Sequence, residues 1–148
     1  MRDLPRQLTA DELAELFEGR TRLVDLLAER EDPFGSVEKV LGELTEQEQR
    51  KALNAHPAIG ARTLSKRSAA EQGSGGNPGV LTELAYLNQV YEEKFGFRFV
   101  VFVDGRPKSE ILEIMQQRLE RTHEEELQTG LRELVAIARD RWQNRPLR

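Results

Sequence analysis

Cysteine is absent from the 148 residues, which removes disulfides, thiolate metal sites and cysteine nucleophiles at once. Histidine is nearly absent: His56 and His123 are the two present, a supply that argues against a zinc-activated water. No stretch approaches the roughly 18 to 20 consecutive apolar residues that a membrane span needs, so no membrane partner is expected. Basic residues form no stripe. The 22 bases are interspersed with 26 acids for a net charge of −4, and nucleic acid is not expected as a partner either. The glycine-rich run Gly73-Ser74-Gly75-Gly76-Asn77-Pro78-Gly79 is no nucleotide loop. Pro78 takes the third glycine position of G-x-G-x-x-G, and no Gly-Lys-Ser/Thr follows. Met1-Arg2-Asp3-Leu4-Pro5-Arg6 shows no signal peptide and Arg145-Pro146-Leu147-Arg148 no organelle address, so the expected compartment is cytoplasmic.

What is present reads as helix. Apolar residues at 38% and charged residues at 32% fit one well-hydrated helical domain spanning 1–148. Thr9-Ala10-Asp11-Glu12 is a capping box ahead of Leu13, Leu16 and Phe17, and Thr45-Glu46-Gln47-Glu48 repeats it. A short helix is expected over Arg22 to Glu29. Asp32-Pro33-Phe34-Gly35 breaks it, and Ser36 is placed to cap the next helix, through Leu44. Val80 to Phe95 carries Leu81, Leu84, Asn88, Tyr91 and Phe95 on one stripe, with Gly96 suited to the stop. From Lys108 to Gln143 helical periodicity dominates, with a break expected at the box Thr122-His123-Glu124-Glu125. His123 is expected on a solvated face and is given no role.

One run breaks the pattern. Phe97-Arg98-Phe99-Val100-Val101-Phe102-Val103, ended by Asp104-Gly105, is strand-like. No second such run exists to pair with it, and isolated strands are not stable. The expected fold is therefore all-α, a compact single-domain multi-helix bundle with one short extended apolar segment at about 97–103. What that segment's backbone groups bond to is then a question of structure.

Three places carry residues suited to chemistry. His56 stands in Asn54-Ala55-His56-Pro57, and a following proline makes it a helix exit. There the negative end of the dipole favours the imidazolium and makes it a candidate proton donor. Local pattern alone nevertheless favours a His that only caps the last carbonyls. Ser68-Ala69-Ala70-Glu71-Gln72 is a further capping box, so Ser68 and Glu71 already have structural work. Its free N–H groups also attract anions, and Gln72 adds an amide there. Arg141 follows Leu127 and Leu134 at seven-residue spacing, an inward position that suits a guanidinium holding a carboxylate as well as an ordinary salt bridge.

Together these pieces resemble the 2-oxo-4-hydroxy-4-carboxy-5-ureidoimidazoline (OHCU) decarboxylase family. The matching motifs are His56-Pro57-x-Ile59-Gly60, Ser68-x-x-Glu71-Gln72 and Leu87-Asn88-x-x-Tyr91-x-x-Lys94-Phe95-Gly96-Phe97-x-Phe99-Val100. They continue in Glu110-Ile111-Leu112, Arg118-Leu119 and Ile137-Ala138-x-x-Arg141. The resemblance implies an all-α homodimer that converts OHCU to S-allantoin and carbon dioxide in urate breakdown, without metal or organic cofactor. It puts His56 on the family's catalytic histidine and Glu71 on its catalytic glutamate. It puts Pro57, Ser68, Gln72 and Arg141 on substrate contacts, and the backbone of Phe99, Val100, Val101, Phe102 and Val103 on a stretch that holds the substrate. From a different class, a non-catalytic helical ligand-binding or dimerisation module stays open. An amidohydrolase acting on the ureido group would need an activated water that this composition does not favour.

Overall fold

A computed structural model describes residues 8–56 and 78–144. In chain order these form α1 (Ala10–Phe17), α2 (Arg22–Ala28), a 3-10 turn (Phe34–Ser36), α3 (Val37–Glu43), α4 (Glu46–Ala55), α5 (Pro78–Phe95), α6 (Lys108–Arg118) and α7 (His123–Asn144). Among the described residues there is no strand, as the lone extended run predicts, and no helix long and apolar enough to cross a membrane.

Threonine caps fix three of the helix starts. Thr9 Oγ1 accepts from the Glu12 N–H at 3.1 Å while the Glu12 carboxylate accepts from the Thr9 N–H at 3.0 Å. Thr45 and Glu48 do the same for α4, and Thr122 and Glu125 for α7. Ser36 does not. It makes no capping bond, because the chain enters α3 through the 3-10 turn, where Asp32 Oδ1 accepts from the Gly35 N–H at 3.1 Å. The expected stripe on α5 also begins later than its spacing suggests. Leu84, Asn88, Tyr91 and Phe95 are buried, whereas Leu81 is 41% exposed at the edge of that face. Gly96, at φ +81°, ends α5 in the left-handed conformation that glycine adopts without penalty.

The long helix α7 is the centre of the fold. Leu127, Leu131, Leu134 and Ala138 are buried along it, and it packs against both α1 and α4. Gly130 permits the second contact. A Cβ there would stand 3.2 Å from Leu53 Cδ2, so α4 lies closer to α7 than a larger residue allows. The C-terminal end of α4, with His56, is thereby held against the helix that carries Arg141.

Candidate active site

His56 is the C-cap of α4. Its backbone is extended at φ −80° and ψ 137°, and its N–H bonds the Leu53 carbonyl at 3.2 Å. The backbone thus closes the helix, and the imidazole is free of that task. The side chain is buried, and Nδ1 has no hydrogen-bond partner among the described residues. Burial pushes its pKa down to about 4, Arg141 and Arg98 adding to the effect and Glu18 opposing it. The dipole-based expectation of an imidazolium is overturned. Loss of hydration and the Arg141 charge outweigh half a charge at a helix end, and His56 is neutral near pH 7.

Arg141 is buried on α7 as its spacing predicts. Nη1 donates to the Leu16 carbonyl at 2.8 Å, and Nη2 lies 3.0 Å from a Glu18 oxygen. Glu18 has no counterpart in the sequence reading. It caps α1 at φ +59°, a left-handed position that is uncommon away from glycine. Gly19 follows, where a Cβ would stand 2.9 Å from Ala55 Cβ. The signal was an acid directly before a glycine where the helical pattern of α1 stops. The ends of α1 and α4 therefore meet beside Arg141, and His56 lies in the field of a buried Arg–Glu pair.

The 97–103 segment answers the question its sequence posed. It is held by side chains. Asn54 Oδ1 accepts from the Arg98 N–H at 2.9 Å, and Arg98 Nη1 donates to the His56 carbonyl at 2.8 Å. These two bonds tie the start of the segment to the end of α4. Arg118 Nη1 donates to the Val100 carbonyl at 2.8 Å, and the Phe102 N–H donates to Glu133 at 3.2 Å. Arg106, beyond a turn whose Asp104 and Gly105 both have positive φ, donates to the carbonyls of Phe102 and Val103. The amides and carbonyls of Phe99 and Val101 make no hydrogen bond among the described residues, although both residues are buried. Such groups retain strong capacity for a bound partner.

Beneath Phe99 lies a second polar cluster. Glu126 is completely buried. One oxygen accepts from Tyr91 Oη and from Arg118 Nε, both at 2.7 Å, and the other from Arg121 Nη1 at 3.1 Å. Burial and this carboxylate push the Tyr91 hydroxyl far above its usual range, so it remains a donor. His123 is also not on a solvated face. It is half-buried, edge-on to Phe97 at 5.5 Å, with Nε2 3.2 Å from Arg50. Phe97, at the start of the 97–103 segment, is the aromatic ring it packs against.

The structure brings His56, Arg141 and the 97–103 segment into one region. Pro57, Ser68, Glu71 and Gln72 lie outside the described residues. Among the described residues no group of three His, Asp or Glu side chains is placed to hold a metal ion.

The chain is similar to known proteins. The OHCU decarboxylase family model matches residues 2–143. The 2-oxo-4-hydroxy-4-carboxy-5-ureidoimidazoline decarboxylase of Halalkalicoccus jeotgali is 32% identical over 120 residues, 73% of this chain and 68% of that protein. The uric acid degradation bifunctional protein of Bacillus sp. (strain TB-90) is 28% identical over 152 residues, which is 93% of this chain but only 30% of that longer protein. The solved structure of an OHCU decarboxylase in the presence of (S)-allantoin superposes with a TM-score of 0.74, at 21% identity over 88% of this chain and 94% of that one. That likeness is one of fold. With nearly the whole length matched by the family model, the chain belongs to the OHCU decarboxylase family.

Proposed function

We propose that this chain decarboxylates OHCU to (S)-allantoin and carbon dioxide in urate breakdown, with no metal or organic cofactor. The observation that carries the reading is the buried, neutral imidazole of His56 beside Arg141, tied by Arg98 to a segment with backbone groups that have no partner among the described residues. OHCU bears a hydroxyl and a carboxylate on one ring carbon next to an imine-type carbon. When the bond to the carboxylate breaks, its electron pair forms a double bond to that neighbour, and the C=N pair moves onto nitrogen, which takes a proton. The resulting enol loses its hydroxyl proton and gains one on the neighbouring carbon, which leaves a carbonyl and a new stereocentre.

A neutral imidazole suits both halves of that exchange. It accepts the hydroxyl proton and then, as the imidazolium, returns a proton to one face of the ring. Arg141 offsets the charge of the substrate carboxylate and of the enolate that follows. Glu71 assists by orienting His56 or the ureido group. Pro57, Ser68 and Gln72 contact the substrate, and the backbone of Phe99 to Val103 holds the ring. The working form in this reading is a cytoplasmic homodimer. Freshly generated OHCU, followed by circular dichroism with the protein present, tests the proposal. Rapid appearance of the (S) enantiomer is expected. A racemic product at the uncatalysed rate overturns the reading and leaves a binding module in its place.

A further inference from the structure

Arg118 belongs to a motif of the chain that the chemistry above leaves unused, and its surroundings assign it work. It is 5% exposed at the end of α6, and all of Glu126 opposite it is buried. Removing two charges from water costs several kcal/mol per ion, and apolar residues of similar volume often serve stability as well or better. What an apolar side chain cannot do is hold a carbonyl. Arg118 Nε is fixed on Glu126 at 2.7 Å, Nη1 reaches the Val100 carbonyl at 2.8 Å, and the guanidinium lies over the Phe99 ring at 4.5 Å. Tyr91 Oη, on the same Glu126 oxygen, fixes the carboxylate in turn. Among the described residues the segment has no neighbouring strand to set its height or rotation, and the backbone groups of Phe99 and Val101 have no partner there, so this fork sets the segment at the point between them.

We propose that Arg118 is a positioning residue for the decarboxylation, aligning the Phe99–Val101 backbone through its bond to Val100, with Glu126 and Tyr91 as its anchor. The inference rests on the proposed function only for its kinetic arm. A lysine keeps the charge beside Glu126 but has no planar fork to serve the carboxylate and the carbonyl together. Arg118→Lys is therefore expected to keep the helical circular dichroism of the parent and to lower kcat by about 10- to 100-fold through misplacement of the substrate. The pH profile should not move, because His56 is untouched, while the enantiomeric purity of the allantoin falls. A merely structural role would lower the folded fraction and leave that purity intact. If Arg118→Lys does not fold, the double variant Arg118→Met with Glu126→Gln, which removes both charges and leaves Tyr91 an acceptor, carries the same expectation.

Amide hydrogen exchange reads the positioning without any substrate. The Phe102 amide, which donates to Glu133, should exchange about tenfold faster in the variant, with α1 to α4 unchanged, as local loosening requires. Parent-like kcat and enantiomeric purity in a folded variant overturn the inference, and so does unchanged exchange at Phe102. If the parent itself does not turn over OHCU, the proposed function fails, and exchange alone decides the role of Arg118.

Discussion

Two buried polar clusters lie on either side of the 97–103 segment, and they are built in opposite ways. Around Glu126 both carboxylate oxygens are engaged, by Tyr91, Arg118 and Arg121. Around His56 an imidazole nitrogen is buried without a partner among the described residues, and its proton affinity is depressed by that burial and by the arginine beside it. A saturated side chain such as Glu126 fixes geometry, although Arg118 Nη2 beside it has no partner among the described residues. An unsaturated one holds hydrogen-bonding capacity in reserve at a cost in stability, which is where a reaction would be placed. On the proposed function, the work of holding is thus separated from the work of proton transfer.

The strongest way to break this contrast is to remove each centre in turn. His56→Ala should lower kcat on OHCU by about 10² to 10⁴-fold, measured by the rise of allantoin dichroism, while the unfolding midpoint shifts less than in the next variant. Glu126→Ala should show the larger loss in stability. It strands Arg118 and Tyr91 in the core and should cost about 3 to 5 kcal/mol in urea unfolding. If the stability loss proves larger for His56→Ala than for Glu126→Ala, the division of labour is wrong.

Acid sharpens the comparison further. The unfolded chain binds a proton at His56 near pH 6.5, the folded chain only near 4. Between these values the unfolded state holds more protons, so stability is lost as the pH falls, in total by about 3 kcal/mol. Urea titrations of the parent and of His56→Asn across that range should differ by this slope, and parallel curves would refute it. The smallest effect concerns the helix that delivers His56. Thr45→Ala deletes the α4 cap and should cost about 1 kcal/mol in thermal unfolding, with kcat per folded molecule unchanged.

Much of this was legible in the chain because local rules decide it. The boxes at Thr9, Thr45 and Thr122 each needed only their own four residues, and Arg141 could be placed by its seven-residue spacing from Leu134. Ser36 misled because an aspartate four residues earlier won the competition for the turn. The charge state of His56 departs from what its helix-end position favours. The dipole at a helix end is a local quantity, but the burial and the two arginines that overrule it come from the 97–103 segment and α7. Arg118 enters the sequence reading only as part of a motif and Glu126 not at all, although each continues a buried face: Arg118 follows Ile111 and Met115, and Glu126 precedes Gly130 and Leu134. Charge on an apolar face was the available signal.

The side-chain rungs along 97–103 have one more consequence. An apolar, β-branched and aromatic run with no proline is the kind of sequence that templates intermolecular pairing when its edge is bare. In a sheet, a neighbouring strand would occupy that edge. Here Arg118, Glu133, Arg106 and Asn54 occupy it one group at a time. Those four residues are therefore gatekeepers of colloidal behaviour as well as supports of a site, and the solubility of the warmed protein is governed by how long they keep the segment inside.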